Sequence, residues 1–272
     1  MNTNVKISIM ALMLSVVTAG CNNTFETKTV IDSEIVITMM ESSSQALQMY
    51  FSTTKSYSCC NYPIDLSWKK SSNTIDIVFK GVIKADLCLT AIGPATASID
   101  LGVLNNGTYQ LNFYNEQVKQ SGKLIVSSEG YKTNFADNSN FRFTTMTLNK
   151  RPENTIWLAI SYREEEVLSS FLEALMNLGA SEKTFSRGYY SFNTRYQWLY
   201  SGFVVEENGD ITYLPDITNP GGGAWGYLFI QSFVFHFTGD STNIEQLVKQ
   251  YKEQMEIRVY TDKGEQFLSW MY

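Results

Sequence analysis

The sequence predicts a mixed fold: an antiparallel β-sandwich followed by an α+β domain with two helices on an antiparallel sheet. Three observations carry this. Apolar and polar residues alternate with period two from Thr29 to about Lys132, the pattern of strands with one buried face. The period lengthens to that of an amphipathic helix over about 162–178 and again from Thr242 to Met255. Short apolar runs bounded by turn residues flank both helices. The 272 residues suit one large domain or two modest ones, at about 150 residues per domain. A composition of 44% hydrophobic against 18% charged residues supplies a packed core.

Residues 1–20 read as a targeting segment. Lys6 ends a short polar start, and an apolar run follows from Ile7 to Ala19, interrupted by Ser8, Ser15 and Thr18. That run is shorter than the about 20 residues a spanning helix needs and suits the core of a signal peptide. It closes on Thr18-Ala19-Gly20-Cys21. This resembles the lipobox of bacterial lipoproteins, with Thr18 where Leu or Val is usual. The resemblance implies removal of residues 1–20 and acylation of Cys21, palmitate included. Acyl chains at about 0.8 kcal/mol per buried methylene would then hold the body on a membrane. Asn22 follows, where an Asp is the usual inner-membrane mark, so the resemblance implies the outer membrane. Residues 21–29 are the lipidated tether.

The sandwich is assigned to 30–135. Ile64, Leu66 and Trp68 alternate with Asp65, Ser67 and Lys69, and Ile75, Ile77 and Phe79 follow the turn Ser71-Ser72-Asn73. Leu111 with Phe113, then Leu124 with Val126, repeat the pattern. The stretch Leu104-Asn105-Asn106-Gly107-Thr108-Tyr109 resembles the tyrosine corner of immunoglobulin and fibronectin III domains. It implies an immunoglobulin-like sandwich in which Tyr109 is buried and bonds back to upstream backbone. Asn106-Gly107 also suits a plain type I′ hairpin.

An exported compartment permits disulfides. Adjacent strand residues face opposite ways, so one of Cys59 and Cys60 can reach Cys88. Cys60–Cys88 and Cys59–Cys88 are both open, as is no bridge at all in a reducing habitat. Three thiols without a nearby His do not match a zinc spacing, so no metal and no cofactor is expected.

The α+β domain is assigned to 136–272. Ser161-x-x-Glu164 has the form of a capping box and opens a helix over 162–178. Val167, Leu168, Phe171, Leu172, Leu175 and Met176 form its apolar stripe, and Gly179 stops it. Glu164 to Glu166 sit at the positive helix end as a solvated start. A second box, Thr242-x-x-Glu245, opens a helix to Met255 with Ile244, Leu247, Val248 and Tyr251 inward. The expected strands are 155–162, 196–205 paired with 211–214 around Asn208-Gly209, 227–238, 256–261 and 266–272.

The balance of 27 acidic against 21 basic residues, net −6, argues against a nucleic-acid partner, which requires a basic face. The loop 219–226 presents Trp225, and Tyr196, Trp198 and Tyr200 share one strand face. These four are the candidate contacts for a protein or glycan partner; the competing reading puts them in the core. His236, the only histidine, has the parity opposite Phe233, Phe235 and Phe237 and reads as structural. Glu206, Glu207 and Asp210 surround a hairpin tip and read as solvated. There is no G-x-S-x-G, H-E-x-x-H or dinucleotide fingerprint. The sequence therefore reads as an envelope lipoprotein acting as a non-enzymatic binding or adhesion module. The alternatives are a structural or accessory subunit of an envelope assembly and a glycan- or peptide-directed hydrolase.

Overall fold

The computed structural model describes residues 28–42, 44–89, 91–136, 140–182, 184–191, 200–215 and 229–269. In chain order the first elements are β1 (Lys28–Thr29), β2 (Ile35–Glu41), β3 (Leu47–Tyr57), β4 (Ile64–Ser71), β5 (Thr74–Ile83), β6 (Gly93–Asp100), β7 (Gly107–Asn115), β8 (Val118–Val126), β9 (Gly130–Asn134), β10 (Phe141–Phe143) and β11 (Thr147–Asn149). Then come β12 (Thr155–Tyr162), α1 (Glu165–Asn177), β13 (Ala180–Ser181), β14 (Gly188–Ser191), β15 (Tyr200–Val205), β16 (Ile211–Pro215), β17 (Phe229–Phe237), α2 (Ser241–Tyr251), β18 (Glu256–Thr261) and β19 (Gln266–Leu268). The protein is a β-rich mixed fold of three open sheets and two helices among the described residues.

Two sheets share the first core. One runs β10-β2-β3-β6; the other begins β1-β5-β7-β8-β9, with β4 also on β5. The alternation legible in the sequence closes them face to face. Ile35, Ile37, Met39, Met49 and Phe51 from the first sheet meet Ile75, Ile77, Phe79, Leu111 and Phe113 from the second. Rings fill the middle: Phe51 and Phe79 meet edge to face at 5.2 Å, and Phe113 stacks on Phe141 at 5.3 Å. Edge-to-face and offset pairs suit the ring quadrupole.

The sheets depart from the all-antiparallel expectation. β5 and β7 pair in parallel, Thr74 opposite Gln110 and Phe79 opposite Asn115. The reason is connectivity: β6 crosses to the opposite sheet between them, so β7 returns in the same direction as β5. Lys28 and Thr29, expected in the tether, pair with Ile83 and Val82 as β1.

The second half is layered around β12. Every residue of this strand except Ala159 is buried, because it is covered on both faces. It pairs antiparallel with β17 on one side and β18 on the other. Ile156, Leu158 and Ile160 face the helices, where Leu168, Phe171 and Leu175 of α1 and Ile244, Leu247 and Val248 of α2 close a second core. Trp157 faces the opposite way, with Val234 and Tyr260, onto Phe185, Tyr190, Phe203 and Val205.

Those last residues belong to the long sheet of the sandwich. β14 adds to β11 through Asn149 and Tyr190, and β15 and β16 follow. The hairpin around Asn208-Gly209 forms as expected, yet it extends the long sheet of the sandwich rather than joining the helix-bearing one. Inward aromatics of β14 and β15 explain the choice: Tyr190 stacks on Phe203 at 4.9 Å, and both pack in one core cluster with Trp157.

Both helix starts differ from the capping-box reading. Ser161 ends up buried within β12, and α1 begins only at Glu165 with no side-chain cap. Residues that bury on both sides of a central strand outweigh a cap worth about 1 kcal/mol. α2 is capped by Asp240, whose carboxylate accepts from the Thr242 amide at 2.9 Å, so the cap lies two residues before the expected Thr242. Gly179 ends α1 as expected, at φ +104°.

Candidate functional site

The side chains that chemistry could use converge where sandwich, long sheet and helical half meet. β2 carries its alternation to Glu41, which is 1% exposed. Arg151 follows β11 and is also buried. The Arg151 backbone N–H donates to Glu41 Oε2 at 2.8 Å and its Nε donates to the same oxygen at 3.2 Å. Arg151 Nη2 donates to the Ser42 carbonyl. The Glu41 amide donates to Ser191 Oγ of β14 at 2.8 Å. Glu41 thus ties three segments into one unit, its carboxylate holding the segment after β11 and its backbone amide holding β14.

Burial raises the Glu41 carboxyl above its usual range, and the Arg151 charge and hydrogen bonds work against that rise. Oε1 of Glu41 is buried with no hydrogen-bond partner among the described residues. A buried ion pair of this kind is costly to break from one side, because the survivor stays desolvated.

Arg151 also lines an open cleft of about 570 Å³, within the range of small-ligand sites. Lys150, Arg151 and Arg187 supply cations to its wall, Glu129 and Glu153 supply acids, and Gln45 and Asn149 supply amides. Lys150 donates to the Ser127 carbonyl at 2.7 Å and lies 5.2 Å from the centre of the Tyr131 ring. Arg187 meets Glu207 at 2.6 Å in an exposed pair, of a kind worth little on its own. Tyr190 closes one side, its hydroxyl donating to the Ser186 carbonyl at 3.0 Å. The arrangement offers donors and acceptors of both signs on a rigid floor, suited to gripping a polar ligand.

Of the residues nominated from sequence, Trp225, Tyr196 and Trp198 lie outside the described residues, as does Cys21. Tyr200 opens β15, its backbone opposite Pro215. The disulfide joins Cys59 to Cys88, and Cys60 is the free thiol. This corrects the Cys60–Cys88 option. Cys59 turns into the core at 2% exposure, with its Cα 5.3 Å from that of Cys88. Cys60 instead fills the space over Gly93, where an added Cβ would lie 2.8 Å from its own. His236 sits in β17 opposite Thr155 and Ser181, and its Nδ1 is buried without a hydrogen-bond partner among the described residues. Glu206, Glu207 and Asp210 are exposed at the hairpin tip.

Sequence reasoning missed Glu41, Arg151 and the cleft. The pair is 110 residues apart in the chain, and no local pattern links such positions. The one available signal was Glu41 itself, a charge at the inward parity of an apolar strand. Comparison with protein-family models, curated proteins and solved structures finds no match to this chain.

Proposed function

We propose that this protein is an envelope lipoprotein, acylated at Cys21, whose body is a non-enzymatic binding module for a polar glycan or peptide. The observation that carries the binding part is the mixed-charge cleft lined by Lys150, Arg187, Glu129, Glu153 and Arg151, the last of these held by buried Glu41. Rigid support beneath convergent polar groups lowers the ordering cost of binding. The tethering part is supported by the Thr18-to-Cys21 motif and by the position of β1, whose Lys28 lies seven residues beyond Cys21 in the sequence. No helix among the described residues is long and apolar enough to cross a membrane.

The immunoglobulin-like reading of the sandwich belongs to the same proposal. Its support is the tyrosine corner: Tyr109 is 5% exposed and its hydroxyl donates to the Asn105 carbonyl at 3.0 Å. The parallel β5–β7 pair is a departure from that family's strand order.

Two experiments test the proposal. Mass spectrometry of the native N-terminus should find diacylglyceryl-Cys21; an unmodified thiol there ends the lipoprotein reading. A glycan and peptide array probed with the mature chain should give a ligand whose binding drops on Lys150→Ala or Arg187→Ala. Binding indifferent to both substitutions removes the cleft from the proposal.

A further inference from the structure

We infer that the connection between β5 and β6 seats on the bilayer interface to which Cys21 is tethered. The inference rests on the lipid-anchored reading above, and it names the surface through which the body would meet the membrane.

Three large aliphatic side chains stand in water on this one connection: Leu87 at 76% exposure, Leu89 at 52% and Ile92 at 80%. Isolated exposed apolar residues are ordinary, but a group of them marks an interaction surface. Here the backbone is fixed so that they stay outside. Cys88, between the two leucines, is bonded to Cys59. The Asn61 side chain grips both flanks of that cysteine. Its Nδ2 donates to the Leu87 carbonyl at 2.7 Å, and its Oδ1 accepts from the Leu89 amide at 3.1 Å. Ala91 N–H donates to the Leu89 carbonyl at 2.8 Å. A covalent staple and an amide clamp therefore oppose the inward collapse that would otherwise hide the leucines.

The topology says what covers them. β1 pairs antiparallel with the end of β5, Thr29 opposite Val82 and Lys28 opposite Ile83. Stepping back along the chain from Thr29 to Lys28 therefore moves in the direction of Val82 to Ile83, toward this connection. Cys21 lies seven residues before Lys28, at most about 25 Å of extended chain. An acylated Cys21 holds this end of the sandwich within reach of the lipid. Exposed Lys84 opens this connection, with exposed Asp86 between it and Leu87, and a cation near inserted apolar side chains suits phosphate headgroups. Aliphatic tips that immerse at the headgroup boundary would fix the orientation of the tethered body, leaving the distant sandwich end facing away from the lipid.

The test uses the mature chain from residue 21 with Cys21→Ser, which holds every described residue and cannot be acylated. Its partition onto phosphatidylcholine vesicles containing phosphatidylglycerol is measured by flotation. Beside it runs the triple variant Leu87→Ser, Leu89→Ser, Ile92→Ser. A second variant, Val103→Ser, removes a 70% exposed aliphatic beyond the far end of β6. Burying an aliphatic side chain is worth about tenfold in partition, so the triple variant should bind roughly a thousandfold more weakly, with Val103→Ser unchanged. Equal binding of the triple variant and its parent, or no vesicle binding by the parent, overturns the inference. So does concentration-dependent dimerisation that the triple variant abolishes, since a second copy is then the occupant. The two readings fail separately. Acylated native Cys21 with loop-independent vesicle binding sinks the docking surface alone. An unmodified native Cys21 with loop-dependent binding sinks the anchor alone.

Discussion

Replacing Arg151 by Met should destabilise this protein at neutral pH by about 3 kcal/mol, the lower end for removing one partner of a buried ion pair. The lower end applies because the backbone N–H at 151 still donates to Glu41 Oε2. What is lost is the Nε bond at 3.2 Å, the Nη2 bond to the Ser42 carbonyl and the compensating charge. At about 2–4 °C per kcal/mol for a chain of this size, the melting temperature should fall by roughly 10 °C. The pH dependence carries the diagnosis. Glu41 is already raised above its usual 4.5 by burial, and Arg151 is what lowers it. Without Arg151 the folded-state value rises further. A carboxyl whose folded value is raised favours the fold most below its unfolded value and loses that contribution as pH rises through the folded value. The deficit of the variant should therefore be largest near neutrality and shrink on acidification toward pH 4.5. Adding Glu41→Gln should recover much of the loss at neutral pH. Melts followed by circular dichroism from pH 4.5 to neutrality measure this. A melting temperature matching the parent, or a deficit of the same size at every pH, refutes the argument.

Three further outcomes are expected. Reducing the Cys59–Cys88 bridge, whose partners are 29 residues apart, should cost about 3–4 kcal/mol by the loop-entropy relation, read as a drop in denaturant midpoint; an unchanged midpoint contradicts it. Tyr109→Phe removes the bond to the Asn105 carbonyl and should cost about 1 kcal/mol, with no measurable change if the tyrosine corner contributes nothing. Asp240→Ala should lower the melting temperature more than Thr242→Ala, which loses the hydroxyl bond to Asp240 but keeps the stronger amide bond. The hydrogen bond from the Thr242 amide lowers the Asp240 carboxyl, so this contribution is present near neutrality and fades as pH falls through that lowered range; the reverse ranking of the two variants would restore Thr242 as the cap.

Strands whose burial alternates were legible in the sequence because local pattern and tertiary environment agree. Ile75, Ile77 and Phe79 face the core as their parity requires, and the stripe Leu168, Phe171 and Leu175 does the same for α1. Legibility failed where a residue serves two environments. The Ser161-x-x-Glu164 spacing suits a cap, yet Ser161 is consumed by a central strand buried on both sides. Partner choice among strands was invisible. Nothing near 200–215 distinguishes joining the sandwich sheet from joining the helix-bearing one, and the decision falls to Tyr190 and Phe203 packing over Trp157. The cleft shares that fate, since its lining joins Gln45, Glu129, Arg151 and Arg187 from distant parts of the chain, which only the assembled fold brings together.

The central position of β12 has a consequence for synthesis. Its ladder partners come late: Phe229 to His236 on one side, and Glu256 to Thr261, up to 105 residues downstream, on the other. A nascent chain that has delivered β12 to solvent carries an eight-residue, largely apolar ribbon whose two edges stay open until β17 and β18 have been made. Truncation before Glu256 leaves one edge permanently unpaired, so premature stop products should accumulate as aggregates or protease substrates rather than as a shortened but folded protein.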